Sequence, residues 1–202
     1  MKVHNAISNS DKYLIWDGDP QSSFCILGYL KGYPNDYKLM KGDSVASEWP
    51  SNVSLGMDPN FKKKNKLSDN LLNPENILIA SKALCDFFRK KQVPNVEYLP
   101  VTILDQKKKV ANRDYSIVNL VTTQDCINTK KSEVTWNNID PHYISSMKRL
   151  ILNESKINDS AVLFRAEHLK NLIFIRADLA NAVTSAGFTN IKFWRLSDYR
   201  RS

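Results

Sequence analysis

The sequence predicts an α+β fold: a mixed, largely antiparallel sheet carrying two principal helices. Three observations predict it. Short runs rich in β-branched and aromatic residues recur along the 202-residue chain, as strands require. Two stretches place apolar residues at helical spacing. Each of these stretches lies inside a strand–helix–stop–strand segment, one at Ile77 to Tyr98 and one at Ile173 to Phe193, and the two segments read alike.

The first strand is Lys12 to Trp16. A long stretch to about residue 72 follows, holding five of the six glycines and four of the eight prolines. Such punctuation breaks long elements, so short strands and loops are expected, with Phe24 to Leu27 as one strand. Phe61 to Asn70 is polar and lysine-rich and reads as mobile. Ile77 to Ala80 is the next strand. Ser81 caps a helix beginning there, because its hydroxyl accepts from an otherwise orphaned amide. Leu84, Phe87 and Phe88 form that helix's buried face, and Val93-Pro94 stops it. Val96 to Ile103 is a strand with Val96, Tyr98 and Val101 facing inward. A charged turn at Asp105 to Lys109 leads to a strand at Tyr115 to Val121. Thr122 to Tyr143 reads as irregular, with Trp136 as an anchor.

Ser146 to Asn153, Val162 to Arg165 and Leu172 to Arg176 read as strands. Asp178 to Ala186 is the second helix, burying Leu179, Ala182, Val183 and Ala186. Gly187 ends it in the left-handed region, which glycine enters without steric cost. Ile191 to Leu196 is the last strand, and the tail Tyr199 to Ser202 reads as frayed. The two similar segments align at a constant offset of 95: Leu84 with Leu179, Phe88 with Val183, Asn95 with Asn190, Tyr98 with Phe193. Both units are expected to pack on one sheet.

Composition bounds the function classes. At 42% hydrophobic and 25% charged residues, the chain is an ordinary globular protein. Residues 1–10 lack the apolar stretch of a signal peptide, and no run approaches a membrane span. Cys25, Cys85 and Cys126 are odd in number and widely spaced, which points to buried thiols in a reducing compartment. The sequons at Asn52, Asn153 and Asn158 then carry no meaning. His4, His142 and His168 are isolated, so no metal site is indicated. No phosphate-binding or nucleophile motif occurs. Asp17-Gly-Asp19 reads as a turn rather than a carboxylate pair. Trp16, Trp49, Trp136 and Trp194 read as core or rim anchors.

The net charge is +8, and 14 of the 29 basic residues fall in five runs: Lys62–Lys64 with Lys66, Arg89–Lys91, Lys107–Lys109, Lys130–Lys131 and Arg200–Arg201. Either these are separate solvated loop tips and caps, or several meet in space as an electropositive face for nucleic acid or an acidic protein.

Several segments together carry a family resemblance. They are Asn95 to Ile103, Asp114 to Asn128, Ile144 to Ile157, Leu163-Phe-Arg165, Ala177 to Ala180 and Ala186 to Phe193. In this order they resemble the "immunity protein eleven" family of bacterial polymorphic-toxin systems. The resemblance covers roughly residues 75–196 and is looser over the irregular part at 1–74; residues 1–202 read as a single domain. It implies a cytoplasmic, non-enzymatic protein, encoded beside a toxin, that binds and neutralises that toxin. It supplies no catalytic, cofactor-binding or metal-binding residue. Toxin contacts differ among immunity proteins, so none transfers, and recognition is expected from the N-terminal third and the loops. A basic nucleic-acid-associated protein is the alternative, and an enzyme with an unrecognised site a third reading.

Overall fold

The computed structural model describes residues 11–200. Its elements run β1 (Tyr13–Asp17), β2 (Leu27–Lys31), α1 (Tyr37–Lys41), β3 (Ser54–Met57), β4 (Asn70–Leu71), β5 (Ile79–Ser81), α2 (Lys82–Lys90), β6 (Val96–Leu104), β7 (Val110–Leu120), β8 (Thr123–Gln124), β9 (Glu133–Trp136), β10 (Ile144–Arg149), β11 (Leu163–Ala166), β12 (Leu169–Arg176), α3 (Ala177–Ser185) and β13 (Lys192–Arg195), with three short 3₁₀ turns. The class is α+β, dominated by sheet.

The strands form two large sheets and a ribbon, in the orders β2-β3-β6-β7-β5-β4, β13-β1-β12-β11-β8 and β10-β9. This corrects the expectation of a single sheet: each of the two similar segments belongs to a different one. Both are split β-α-β units. β5 and β6 are joined through α2 and both pair antiparallel to β7, which lies between them. β12 and β13 are joined through α3 and both pair antiparallel to β1. β4 flanks β5 antiparallel as β11 flanks β12. The inserted strand differs in origin: β7 follows its unit in the chain, whereas β1 precedes its unit by some 150 residues.

The offset of 95 holds through the local structure. α2 spans residues 82–90 and α3 spans 177–185. Their buried positions correspond one to one: Leu84, Cys85 and Phe88 against Leu179, Ala180 and Val183. Both helices end through the same bonds, Lys91 N to Phe87 O and Gln92 N to Arg89 O in one, Ala186 N to Ala182 O and Gly187 N to Thr184 O in the other. Gln92 and Gly187 take φ of 52° and 74°, and Asn95 and Asn190 take 56° and 59°. Helix stop and strand entry are therefore the same two left-handed residues in each unit.

The chain has three apolar layers. Strand alternation sorts residues between them, because successive side chains point to opposite faces. On β6, Leu99, Val101 and Ile103 enter one layer while Val96 and Tyr98 pack against the next. Val101 thus faces away from Val96 and Tyr98, since the strand is covered on both sides. The first layer lies inside the six-stranded sheet. That sheet curls until its two edges meet: bridges join Phe24 to Lys66 and Ile26 to Leu72, with Cys25 N donating to Lys66 O and Leu27 N to Leu72 O, both at 2.8 Å. The middle layer holds both helices between the sheets, where Trp16 meets Phe88 at 5.9 Å and Phe193 at 5.4 Å, and Phe87 meets Phe188 at 5.2 Å. The third layer joins Tyr13, Ile15, Phe164 and Phe174 to Ile144 and Met147 of the ribbon.

Several boundaries shift. The strand expected at Phe24 to Leu27 begins at Leu27, with only bridges before it. Glu133–Trp136, expected irregular, is a strand pairing with Ile144–Arg149, and Leu152 makes only a bridge to Ile127. The polar stretch before Asn70 turns inward at its end: Ser68 and Asn70 are buried, and Tyr115 donates to Ser68 O at 2.8 Å. Tyr199 packs on the third layer instead of fraying.

Candidate functional site

Cys25, Cys85 and Cys126 are free and buried. Burial pushes their thiols up to about 11, 11 and 12, where they are protonated and inert. Asp17 accepts from Gly18 N at 2.8 Å and from Trp194 Nε1 at 3.0 Å, while Asp19 accepts from Gln21 N at 3.0 Å. Asp17 thus ends β1, and the turn begins only at Asp19, whose carbonyl accepts from Ser22 N at 3.1 Å. His168 sits in the β11–β12 turn, its Nδ1 2.9 Å from His142 O and its ring edge-on to Trp136. His4 lies outside the described residues. Among the described residues, no three His, Cys, Asp or Glu side chains converge as metal ligands.

Sequence reasoning does not single out Arg165, yet the structure gives it an unusual setting. It is buried in β11, donating to Lys170 O at 2.5 Å and Asn76 O at 2.9 Å, with Nε unpartnered. Desolvation lowers its pKa to about 10, so it stays charged at neutral pH. Its bond to Asn76 ties the five-stranded sheet to the loop before β5. The available signal is one cation inside Val162 to Ala166, an otherwise apolar run. Nearby, Trp16, Asp17, Asn70, Asn73, Asn76 and Asn171 line a shallow cleft of about 60 Å³, room for a water or two.

A second polar junction joins the two units. The Asp69 carboxylate accepts from Ser81 Oγ at 2.7 Å, Thr189 N at 2.8 Å and Thr189 Oγ1 at 2.7 Å. Asn70 Nδ2 donates to Asn190 O and Asn190 Nδ2 to Asn70 O, each at 2.9 Å. One carboxylate therefore bonds the cap of α2 and the turn after α3.

The lysine runs divide. Arg89 to Lys91 close α2, where Arg89 pairs with Asp86 and stacks on Tyr98. Lys130 and Lys131 stand on a turn beside the third layer. Two other runs come together. The β6–β7 hairpin ends in Asp105, whose Oδ1 accepts from Lys107 N and Lys109 N at 2.8 Å. Lys108 takes φ of 61°, and the turn holds three lysines outward. Beside it, Asp58 caps the 3₁₀ turn Pro59–Phe61 by accepting from Asn60 N at 2.8 Å. β3 and β6 are parallel neighbours, with Gly56 opposite Leu104, so both loops leave the same end of the sheet. Gln106 Nε2 donates to Phe61 O at 3.1 Å and fastens one loop to the other. Residues 58–66 and 105–114 contain eight cations and three carboxylates, a net +5 within a chain of +8. Phe61 and Val110 remain 38% and 48% exposed among them.

Fold and surface together define a sheet-built α+β protein with its charge concentrated on two adjoining loops. The chain belongs to the immunity protein family (Imm11), whose model matches residues 6–198, the N-terminal third included. No curated protein matches the chain. No helix among the described residues is long and apolar enough to cross a membrane.

Proposed function

We propose that this protein is a non-enzymatic immunity protein that binds a cognate bacterial toxin and neutralises it in the cytoplasm of the producing cell. Residues 1–202 act as a single domain in this reading. The observation that carries it is the family match over residues 6–198. The fold suits such a role, since neutralisation needs only a rigid scaffold and a complementary surface of roughly 1,600 Å². The toxin is expected to be encoded by an adjacent gene. Co-expression of that gene's toxin-like product with this protein should restore growth and yield a complex on size-exclusion chromatography. Continued killing without a complex would refute the assignment.

A further inference from the structure

We propose that the corner formed by Lys62–Lys66 and the Lys107–Lys109 hairpin turn is the docking surface for an acidic face of the cognate toxin. This rests on the immunity reading above and deepens it.

The corner is built, not incidental. Asp105 and Asp58 each spend their carboxylates on backbone amides of their own turns. Gln106 locks the two turns together. The acidic residues thus shape the loops and leave most of the ammonium groups without a counter-ion. Lys64 bonds Pro20 O and stands over Phe61, and Lys66 stands over Phe24 at 5.3 Å. Lys62, Lys63, Lys107, Lys108 and Lys109 are exposed. Five like charges held close together raise the energy of the free protein's surface, and a carboxylate-bearing partner relieves this.

The mixture of groups favours a protein over a nucleic acid. Val110 offers aliphatic surface but no π-face, and Phe61, though partly exposed, already has the Lys64 ammonium 5.5 Å from its ring centre. Single-stranded binding surfaces instead present open aromatic platforms. Lysine on flexible stems gives long-range attraction more than fixed bidentate contacts, so the corner acts chiefly on the rate of capture.

The test uses the purified product of the adjacent toxin-like gene and, separately, a random-sequence DNA duplex. The Lys62→Glu/Lys63→Glu/Lys107→Glu/Lys108→Glu variant is compared with the wild type and with Lys130→Glu/Lys131→Glu. Association with the toxin product should slow at least tenfold in the corner variant and little in the other. The wild-type rate should fall as salt rises. Wild-type binding that the corner variant retains in full overturns the docking surface and leaves the immunity reading standing. Absence of wild-type binding overturns both. Tighter binding to the duplex than to the toxin product, lost in the corner variant, assigns the surface to nucleic acid and refutes the proposal.

Discussion

Asp69 shows how much a single carboxylate can hold together here. It bonds the Ser81 hydroxyl that caps α2 and both donors of Thr189, and its own N–H donates to Thr189 Oγ1 at 2.9 Å. Burial opposes its ionisation, but the hydrogen bonds from Ser81 and Thr189 outweigh that and hold its pKa below the ordinary value. Glu97 is alike: burial raises it, and bonds from Ser44, Val45 N and Asn119 bring it below normal. A depressed carboxylate adds stability above its unfolded pKa, and that stability is lost as pH falls through its folded pKa. The protein should therefore lose stability to urea as pH drops below about 4. Asp69→Asn should cost about 2 kcal/mol at pH 7, because the charge is lost and one of the two accepting oxygens becomes an NH2 donor. It should also flatten the acid slope. An unchanged urea midpoint at pH 7 would show that the junction is dispensable. None of this was legible from the sequence, since Asp69 and Thr189 lie 120 residues apart. The cap at Ser81 was, because a capping hydroxyl acts on its own next turn: Ser81 Oγ accepts from Leu84 N at 3.2 Å.

At the scale of elements, the two helix stops use one backbone path with different residues. Gly187 has open space where a Cβ would stand, so Gly187→Ala tests backbone strain alone. It should destabilise by about 1 kcal/mol. Gln92 occupies the equivalent left-handed position without glycine's freedom. Gln92→Gly should raise the melting temperature by a degree or two, relieving strain of about 1 kcal/mol less the added freedom of the unfolded chain. Opposite signs from equivalent sites would establish the equivalence in solution. A fall in melting temperature on Gln92→Gly would show that the Gln92 side chain contributes more than its backbone costs. The helices were readable because their period, cap and stop are local. The strand at Glu133–Trp136 was not: its residues are mostly polar, and it exists through pairing with β10.

Over the whole molecule, the middle layer couples the sheets. Phe88 is fully buried on α2 and touches Trp16 of the other sheet. Phe88→Ala should cost about 4 kcal/mol. Tryptophan fluorescence and far-ultraviolet circular dichroism should still report one coincident transition. Two separated transitions would mean that the sheets fold independently. The repeat was visible in the sequence, but its placement on separate sheets was not. Strand order is decided by which strand enters between β-α-β arms, and no local pattern encodes that. The meeting of the lysine runs was equally hidden, since it depends on β3 lying parallel to β6.

The origin of β1 has a consequence for how the protein is made. During translation β1 leaves the ribosome some 150 residues ahead of its partners β12 and β13. Leu14, Ile15 and Trp16 must wait until β12 and β13 have been made before their sheet can close. The first unit, with β4 to β7 contiguous, can assemble on the nascent chain well before that. A ribosome stalled before β12 thus carries a finished half and an unpaired apolar strand, a vulnerable species that the emergence of β12 and β13 removes.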